Sequence, residues 1–291
     1  MLVAGCKTSV IPEGVTGIET FAFCQISTLT SIVFPTSLKK IGNQAFNGCT
    51  GLTSIAIPDS VTEIVDSAFL NCSGLTSLTL GDGLTTIGTH AFNGCASLES
   101  VTFGNGLQTI GRGAFIDCYS LTSIEIPNSV TEIGQSAFNG CESLVSVMIP
   151  DSVTTIGGWA FYRCTNLTSI EIPESVKTMG IAVFGYSSSL TDIYCAAPAK
   201  PDGWDDSWLG YGINATVHWG YSLASDAILG DLGGDGTIDA TDYLLLKRYC
   251  LGTFTLTAEQ MAVADVNKDG EINALDYMLV KRHVLGTFKI A

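Results

Sequence analysis

A β-rich solenoid, with a short strand and a short helical turn in every 23-residue unit, followed by a small all-α module, is the architecture to which these 291 residues point. Two observations carry it. The pair Ala-Phe recurs at Ala22-Phe23, Ala45-Phe46, Ala68-Phe69, Ala91-Phe92, Ala114-Phe115, Ala137-Phe138 and Ala160-Phe161, always 23 residues apart, and Val183-Phe184 makes the next step. Two twelve-residue acidic loops, starting at Asp231 and Asp265, repeat each other at an offset of 34 residues.

One unit runs from Leu121 to Cys141. Around Ile124 and Ile126 apolar and polar residues alternate, the period of a strand with one face buried. Pro127 ends the strand because it has no N–H to give to a ladder. Val130 and Ile133 touch the core again, and Gly134 allows a tight turn. Ala137, Phe138 and Cys141 lie one helical turn apart, which predicts a single buried turn of helix. A unit this small cannot bury its apolar side alone, but stacked copies can. Stacking turns the period into inward rows: Leu52 to Leu167, Ile64 to Ile156, and the phenylalanines.

The pattern L-x-x-I-x-I-P-x-x-V-x-x-I-G-x-x-A-F-x-x-C resembles the 23-residue leucine-rich repeats of bacterial surface proteins, the BspA-like or treponemal type, over roughly residues 6 to 195. The resemblance implies a repeat surface for adhesion or protein binding, without catalysis of its own. The period breaks after Cys195. Residues 196–221, with Trp204, Trp208 and Trp219, are expected to cap the solenoid 1–195, because a terminal unit must cover the last core. A linker at 222–227 and a C-terminal domain at 228–291 complete the expected organisation.

Composition narrows the function classes. A formal charge of -15 opposes binding to nucleic acid, which needs a basic surface, and opposes an anionic membrane surface. No apolar run approaches the ~18 residues of a membrane span. Met1 to Cys6 lack the charged start and apolar stretch of a signal peptide, and the chain enters in mid-repeat. The expectation is a fragment without its natural N-terminus.

Six of the ten cysteines, Cys49, Cys72, Cys95, Cys118, Cys141 and Cys164, fall on the repeat period. One per coil at a fixed place reads as a buried row of free thiols packing as small hydrophobes. Disulfides or a metal ladder are the alternative, opposed by the poor torsion of parallel side chains on adjacent coils.

The two loops run Asp231 to Asp242 and Asp265 to Asp276. Oxygen ligands at loop positions 1, 3, 5, 7, 9 and 12 surround a hard cation, with glycine at position 6 for the sharp turn. These positions hold Asp231, Asp235, Thr237, Asp239 and Asp242 in the first loop, where Gly233 offers no side chain at position 3. The second holds Asp265, Asn267, Asp269, Glu271, Asn273 and Asp276. Both carry Asp rather than Glu at position 12. The expectation is two Ca²⁺. Each loop continues into one outgoing helix, Tyr243 to Arg248 or Tyr277 to Arg282, and Thr257 to Gln260 looks like a capping box opening a short middle helix.

This duplicated EF-hand-like arrangement resembles the type I dockerin over about residues 226 to 289. The resemblance implies a calcium-folded module that binds a cohesin on the scaffold of a secreted, extracellular bacterial cellulosome engaged in polysaccharide degradation. Its contact positions fall on Ala240, Thr241, Leu244, Lys247 and Arg248, and on Ala274, Leu275, Met278, Lys281 and Arg282. Their near-repetition implies that either helix can dominate the interface. From Asp226 to Ala291 ten acids face six bases, and two Ca²⁺ would bring that balance near zero.

No nucleophile elbow, phosphate loop or transition-metal cluster appears, and none of His90, His218 and His283 belongs to a motif. The leading reading is therefore a non-catalytic component whose solenoid holds a protein partner on the outward strand row Val33, Ala56, Thr79, Thr102, Glu125, Met148 and Glu171. The alternatives are polysaccharide binding, with Trp159, Trp204, Trp208 or Trp219 stacking on sugar rings, and a fragment of a larger dockerin-bearing enzyme.

Overall fold

The structure is a computed structural model, and it describes residues 8–220, 229–234, 236–252, 254–267, 271–285 and 290, without the side chains of 258, 259 and 262. The chain divides into two compact units, residues 1–221 and 222–291. The expected linker, 222–227, lies outside the described residues, as do Asp235 and Asp269.

The first unit is a β-solenoid of about nine coils. Strands of three or four residues begin at Thr8, Ser31, Ser54, Ser77, Ser100, Ser123, Ser146, Ser169 and Asp192. Two-residue strands begin at Gly17, Lys40, Glu63, Thr86, Thr109, Glu132, Thr155 and Thr178. Pairing is parallel between the same positions of adjacent coils, as Ser123 with Ser146 and Ile133 with Ile156. The short strands form one eight-stranded sheet, and the longer ones form four sheets of two or three strands.

Alternation puts every second strand residue inside. Ile124 and Ile126 are buried, while Ser123 and Glu125 face out. The leucine, isoleucine and phenylalanine rows are sealed, each Phe from Phe46 to Phe184 showing 0% exposure. Seven adjacent ring pairs, from Phe23–Phe46 to Phe161–Phe184, stack at centroid distances of 4.8 to 6.0 Å, within 11° of parallel. Each buried ring contributes about 1.5–3 kcal/mol.

The Ala-Phe segment is not helical. Ala137, Asn139 and Cys141 donate backward to Gly134, Ser136 and Phe138 as tight turns. The alternate amides, Ser136, Phe138 and Gly140, donate across to Gly158, Ala160 and Tyr162 of the next coil. A helix would need all of these N–H groups internally, so the coil trades helical bonds for ladder bonds. Two positions per coil are left-handed. One row is Phe21, Gln44, Ser67, His90, Gly113, Ser136, Trp159 and Ala182. The other is Gln25, Gly48, Asn71, Gly94, Asp117, Gly140, Arg163 and Tyr186. A side chain there costs about 1–2 kcal/mol, least for Asn and Asp. Gly134 lies in neither row. A Cβ on it would stand 2.7 Å from the Ile110 carbonyl oxygen, so its role is close approach between coils.

The six periodic cysteines are buried and free. Each thiol donates to the carbonyl of the Phe 26 residues earlier, from Cys49 to Phe23 at 3.0 Å through Cys164 to Phe138 at 3.4 Å. In the next coil Ser187 holds the row and its hydroxyl bonds Phe161 in the same way, at 2.9 Å. Beyond it, Trp204 and Trp208 are buried and close the core. Trp204 donates Nε1 to Val176 O at 3.0 Å, and Trp208 meets Phe184 edge-on. Trp219 lies against both, and its strand, Thr216–Trp219, extends the last sheet. These three indoles fill the cap core.

The second unit holds helices α1 (Ala240–Cys250), α2 (Ala258–Ala264) and α3 (Ala274–Val284). α2 opens on the expected capping box of Thr257 and Gln260, and Gln260 also donates to Leu232 O at 3.1 Å. The core pairs residues 34 apart, Leu232 with Val266 and Leu246 with Val280, and adds Leu256, Val263, Ala264 and Ile290. α1 and α3 also meet through Tyr243 and Tyr277, whose rings stack at 5.1 Å and whose hydroxyls are 2.8 Å apart. Among the described residues no helix is long and apolar enough to cross a membrane.

Candidate calcium loops and docking helices

Both loops place their last aspartate in the same way. Asp242 is buried, and its two oxygens accept from the backbone N–H of Gly233 at 2.6 Å and of Asp239 at 2.7 Å. Asp276, fully buried, accepts from Asn267 at 3.1 Å and from Asn273 at 3.0 Å. Position 12 thus ties the third loop residue to the ninth. It also serves as the acidic partner in a capping box, because Asp239 and Asn273 cap α1 and α3. Asp suits this duty through its short reach, which gives the departure from Glu a structural reason. The cap residues are themselves engaged, Asp239 with Thr241 N at 2.6 Å and Asn273 with Leu275 N at 2.8 Å. That agrees with a ninth position that reaches calcium through water.

At the start of the first loop, buried Asp231 accepts from Gly234 at 2.6 Å and Gly236 at 2.8 Å. A Cβ on Gly233 would stand 3.3 Å from an Asp242 oxygen and 3.9 Å from an Asp231 oxygen, so position 3 lies close against two carboxylates. Burial pushes the Asp242 carboxyl up to about 6, with the Asp231 and Asp239 charges adding to it against the donors from Asp239 and Gly233. Crowded buried carboxylates are a donor set that a hard divalent cation neutralises. In the second loop Asp265 caps the C-terminal end of α2 and is half-buried, and Asn267 is exposed. Thr237 and Glu271 are exposed too. Among the described residues no group of three or more His, Cys, Asp or Glu side chains is arranged to hold a metal. The oxygens present fit calcium in kind: Asp231, Asp242, Asp265, Asn267 and Asp276 from side chains, with Thr237 and Glu271 at the position that offers a backbone carbonyl.

On α1, Ala240, Thr241 and Leu244 are exposed, Leu244 by 52%. Lys247 and Arg248 are half-buried, Lys247 lying 6.0 Å over Tyr243 and Arg248 5.1 Å over Phe254. On α3, Ala274, Leu275, Met278 and Arg282 are exposed and Lys281 is half-buried. Leu251 and Leu285, just past the two helices, are 66% and 65% exposed. The two helices therefore present matching apolar residues in matching places. The sequence places Tyr243 and Tyr277 at the helix starts without showing that they pair, and gives these leucines no role, although the 34-residue offset marks both.

The solenoid's outward row from Val33 to Glu171 is exposed along its whole length. It continues into Tyr194 and His218, whose rings stack at 4.7 Å. His218 Nε2 meets Asp192 Oδ1 at 2.8 Å, and that imidazole's bond holds the Asp192 carboxyl below the usual range. His90 lies 3.2 Å from Asn93, and His283 accepts from Ile290 N at 3.0 Å. Each histidine thus has a structural partner.

Family models match both units. Residues 4–122 and 108–200 match the BspA type leucine rich repeat region, and residues 229–285 match the dockerin type I domain. Among solved structures, a leucine-rich repeat protein of Bacteroides ovatus superposes with a TM-score of 0.56 at 27% identity. The match covers 74% of this chain and 64% of that one, so this chain spans less than two thirds of its length. The T. pallidum leucine rich repeat protein gives 0.52 at 34% identity, over 55% of this chain and 77% of that one. A comparison with curated proteins finds no match. Both families are non-catalytic and typically extracellular or cell-surface, type I dockerins bind calcium, and no catalytic domain is found. The chain belongs to the BspA-type leucine-rich repeat family and carries a C-terminal type I dockerin domain.

Proposed function

We propose that this protein is a non-catalytic, secreted component of a bacterial cellulosome, anchored by domain 228–291 and presenting domain 1–195, capped by 196–221, as a protein-binding or adhesive surface. Two Ca²⁺ fold the anchor, held by Asp231, Asp235, Thr237, Asp239 and Asp242 and by Asp265, Asn267, Asp269, Glu271, Asn273 and Asp276. Calcium supplies the charge that lets these carboxylates crowd together. The residues do the rest: Asp242 and Asp276 start α1 and α3, and the helices carry the contacts. The observation that supports this best is the twofold surface itself. Ala240, Thr241 and Leu244 on α1 stand where Ala274, Leu275 and Met278 stand on α3, all exposed. Lys247, Arg248, Lys281 and Arg282 flank them.

Titration of the full chain against a panel of cohesins tests this. Nanomolar-range binding to at least one cohesin in calcium, abolished by EDTA, is expected. Changing Leu244 and Lys247 to Asp and Glu should weaken binding only a few-fold, as should the matching change at Met278 and Lys281. The two changes together should abolish it. Calcium-independent binding, or silence across the panel, refutes the reading.

A further inference from the structure

The left-handed row that begins with Gln25 changes character near the solenoid's C-terminal end. From 48 to 140 it holds Gly48, Asn71, Gly94, Asp117 and Gly140, the residues that tolerate positive φ. The next two coils place Arg163 and Tyr186 there, at φ 57° and 58°. Large side chains in a conformation that disfavours them call for a local reason.

The geometry around them supplies one. Tyr162, Arg163, Thr165, Tyr186, Ser188 and Gly212 line an open groove of about 470 Å³, within the size range of ligand sites. The two tyrosine rings meet edge to face at 5.4 Å and 67°, forming a corner. Each lies over a glycine: a Cβ on Gly185 would stand 2.9 Å from the Tyr162 ring, and one on Gly212 3.0 Å from the Tyr186 ring. The tyrosines are thus held by the coil and are not tethered loosely above it. Tyr186 is 52% exposed, so its ring faces solvent. Arg163 is paired with Glu142 at 3.0 Å, which cancels its charge while leaving both groups partly exposed for hydrogen bonding.

We propose that this groove binds a neutral polysaccharide, with sugar rings packing against Tyr162 and Tyr186 and sugar hydroxyls engaging Arg163, Thr165 and Ser188. Aromatic faces beside hydroxyl and guanidinium donors match a ligand with apolar C–H faces and a rim of hydroxyls. The neutralised Arg163 favours an uncharged sugar over an acidic one. A peptide fits less well. The backbone here is already used, Arg163 N bonding Gly185 O and Tyr186 N bonding Tyr211 O, which leaves those groups nothing to offer an added strand. Of the four indoles that the sequence offers as sugar platforms, Trp204 and Trp208 are buried and Trp159 and Trp219 are half-buried. The site therefore moves to tyrosines and to the turn side of the coil, away from the outward strand row.

Affinity electrophoresis of the full chain in gels containing hydroxyethylcellulose, xyloglucan, arabinoxylan, galactomannan or starch tests the proposal. At least one of these should retard the protein, and retardation should persist in EDTA, which removes cohesin binding. Tyr162→Ala should weaken it tenfold or more. Tyr186→Asn is the sharper variant, because Asn suits the left-handed position: the melting temperature should hold or rise while binding falls tenfold or more. Absence of retardation in every glycan overturns the proposal. So does binding unchanged in both variants, binding lost with EDTA, or selection of peptides from a displayed library by a groove that ignores all five glycans.

Discussion

Both domains are made by internal duplication, yet they solve the burial problem in opposite ways. The solenoid repeats a 23-residue coil, and each copy buries its Leu, Ile and Phe on the next. The dockerin domain repeats a 34-residue unit only once, and among the described residues its core holds eight buried apolar ones. In the solenoid the buried row of thiols, with Ser187 beyond it, donates hydrogen bonds to carbonyls of the neighbouring coil. In the dockerin the buried polar groups include three carboxylates, Asp231, Asp242 and Asp276, beside the amide of Gln260. A long stack generates enough apolar contact to stand alone, whereas a small domain needs a further source of stability such as a metal. The difference should appear in how each domain fails.

The largest effect expected from a single residue is in the phenylalanine row. Phe115 lies between Phe92 and Phe138 at 5.4 and 5.5 Å, with Phe103 edge-on at 5.9 Å. Phe115→Ala opens a cavity across three coils and should cost about 3–5 kcal/mol, lowering the solenoid's melting temperature on the order of 10 °C. Calorimetry in calcium should show the dockerin transition unmoved. A dockerin transition that follows the solenoid downward would break the claim that the two domains are stabilised separately.

The reciprocal test is at loop position 12. Asp242→Ala removes the acid of the capping box and, on the proposed reading, a calcium ligand. Calcium affinity of the first loop should fall tenfold or more, read by isothermal titration, with the solenoid transition unchanged. Asp276→Ala should do the same to the second loop. Asp242→Glu is the informative control. If position 12 served only the cation, the longer acid would improve binding. If it also caps the helix, the gain in affinity should come with a less stable apo domain.

Much of this contrast was legible in the sequence, and the gaps have physical causes. Period-2 alternation announced Ile124 and Ile126 as core because strand geometry leaves them no other side. The twelve-residue loops pointed to Asp231 and Asp265 as candidate oxygen donors, and the structure holds the first buried and the second half-buried at the two loop starts. The turn containing Phe138 read as helix because Ala137, Phe138 and Cys141 carry helical spacing. Side-chain spacing does not reveal that alternate amides cross to the next coil. The Gly, Asn and Asp in the row from Gly48 to Gly140 were the available clue to left-handed backbone. Gly134 drew notice instead, because glycine stands for both positive φ and close approach. The pairing of Asp192 with His218 depends on a strand register that the broken period after Cys195 conceals.

The smallest effects should come from the cysteine row, and they separate packing from hydrogen bonding. A thiol read only as a small hydrophobe predicts that Cys118→Ser would be harmful, because a hydroxyl would enter an apolar core. The structure predicts near neutrality, since Ser187 already makes the same bond to Phe161 one coil beyond Cys164. Cys118→Ser should therefore shift the melting temperature by no more than about 2–4 °C, roughly 1 kcal/mol, with Cys118→Ala at least as harmful. The row also sets a pH dependence. Burial pushes Cys49 up to about 11 and Cys95 up to about 12, from an ordinary value of 9.0. The folded thiols thus keep their protons where unfolded ones lose them. Their contribution to stability is complete below pH 9 and is lost as pH rises from 9 towards 12. Solenoid melting should be flat from pH 7 to 8.5 and then decline, more shallowly when ladder cysteines are changed to serine. A decline of equal steepness in the serine variants would assign the alkaline loss to other groups and leave the thiols as packing alone.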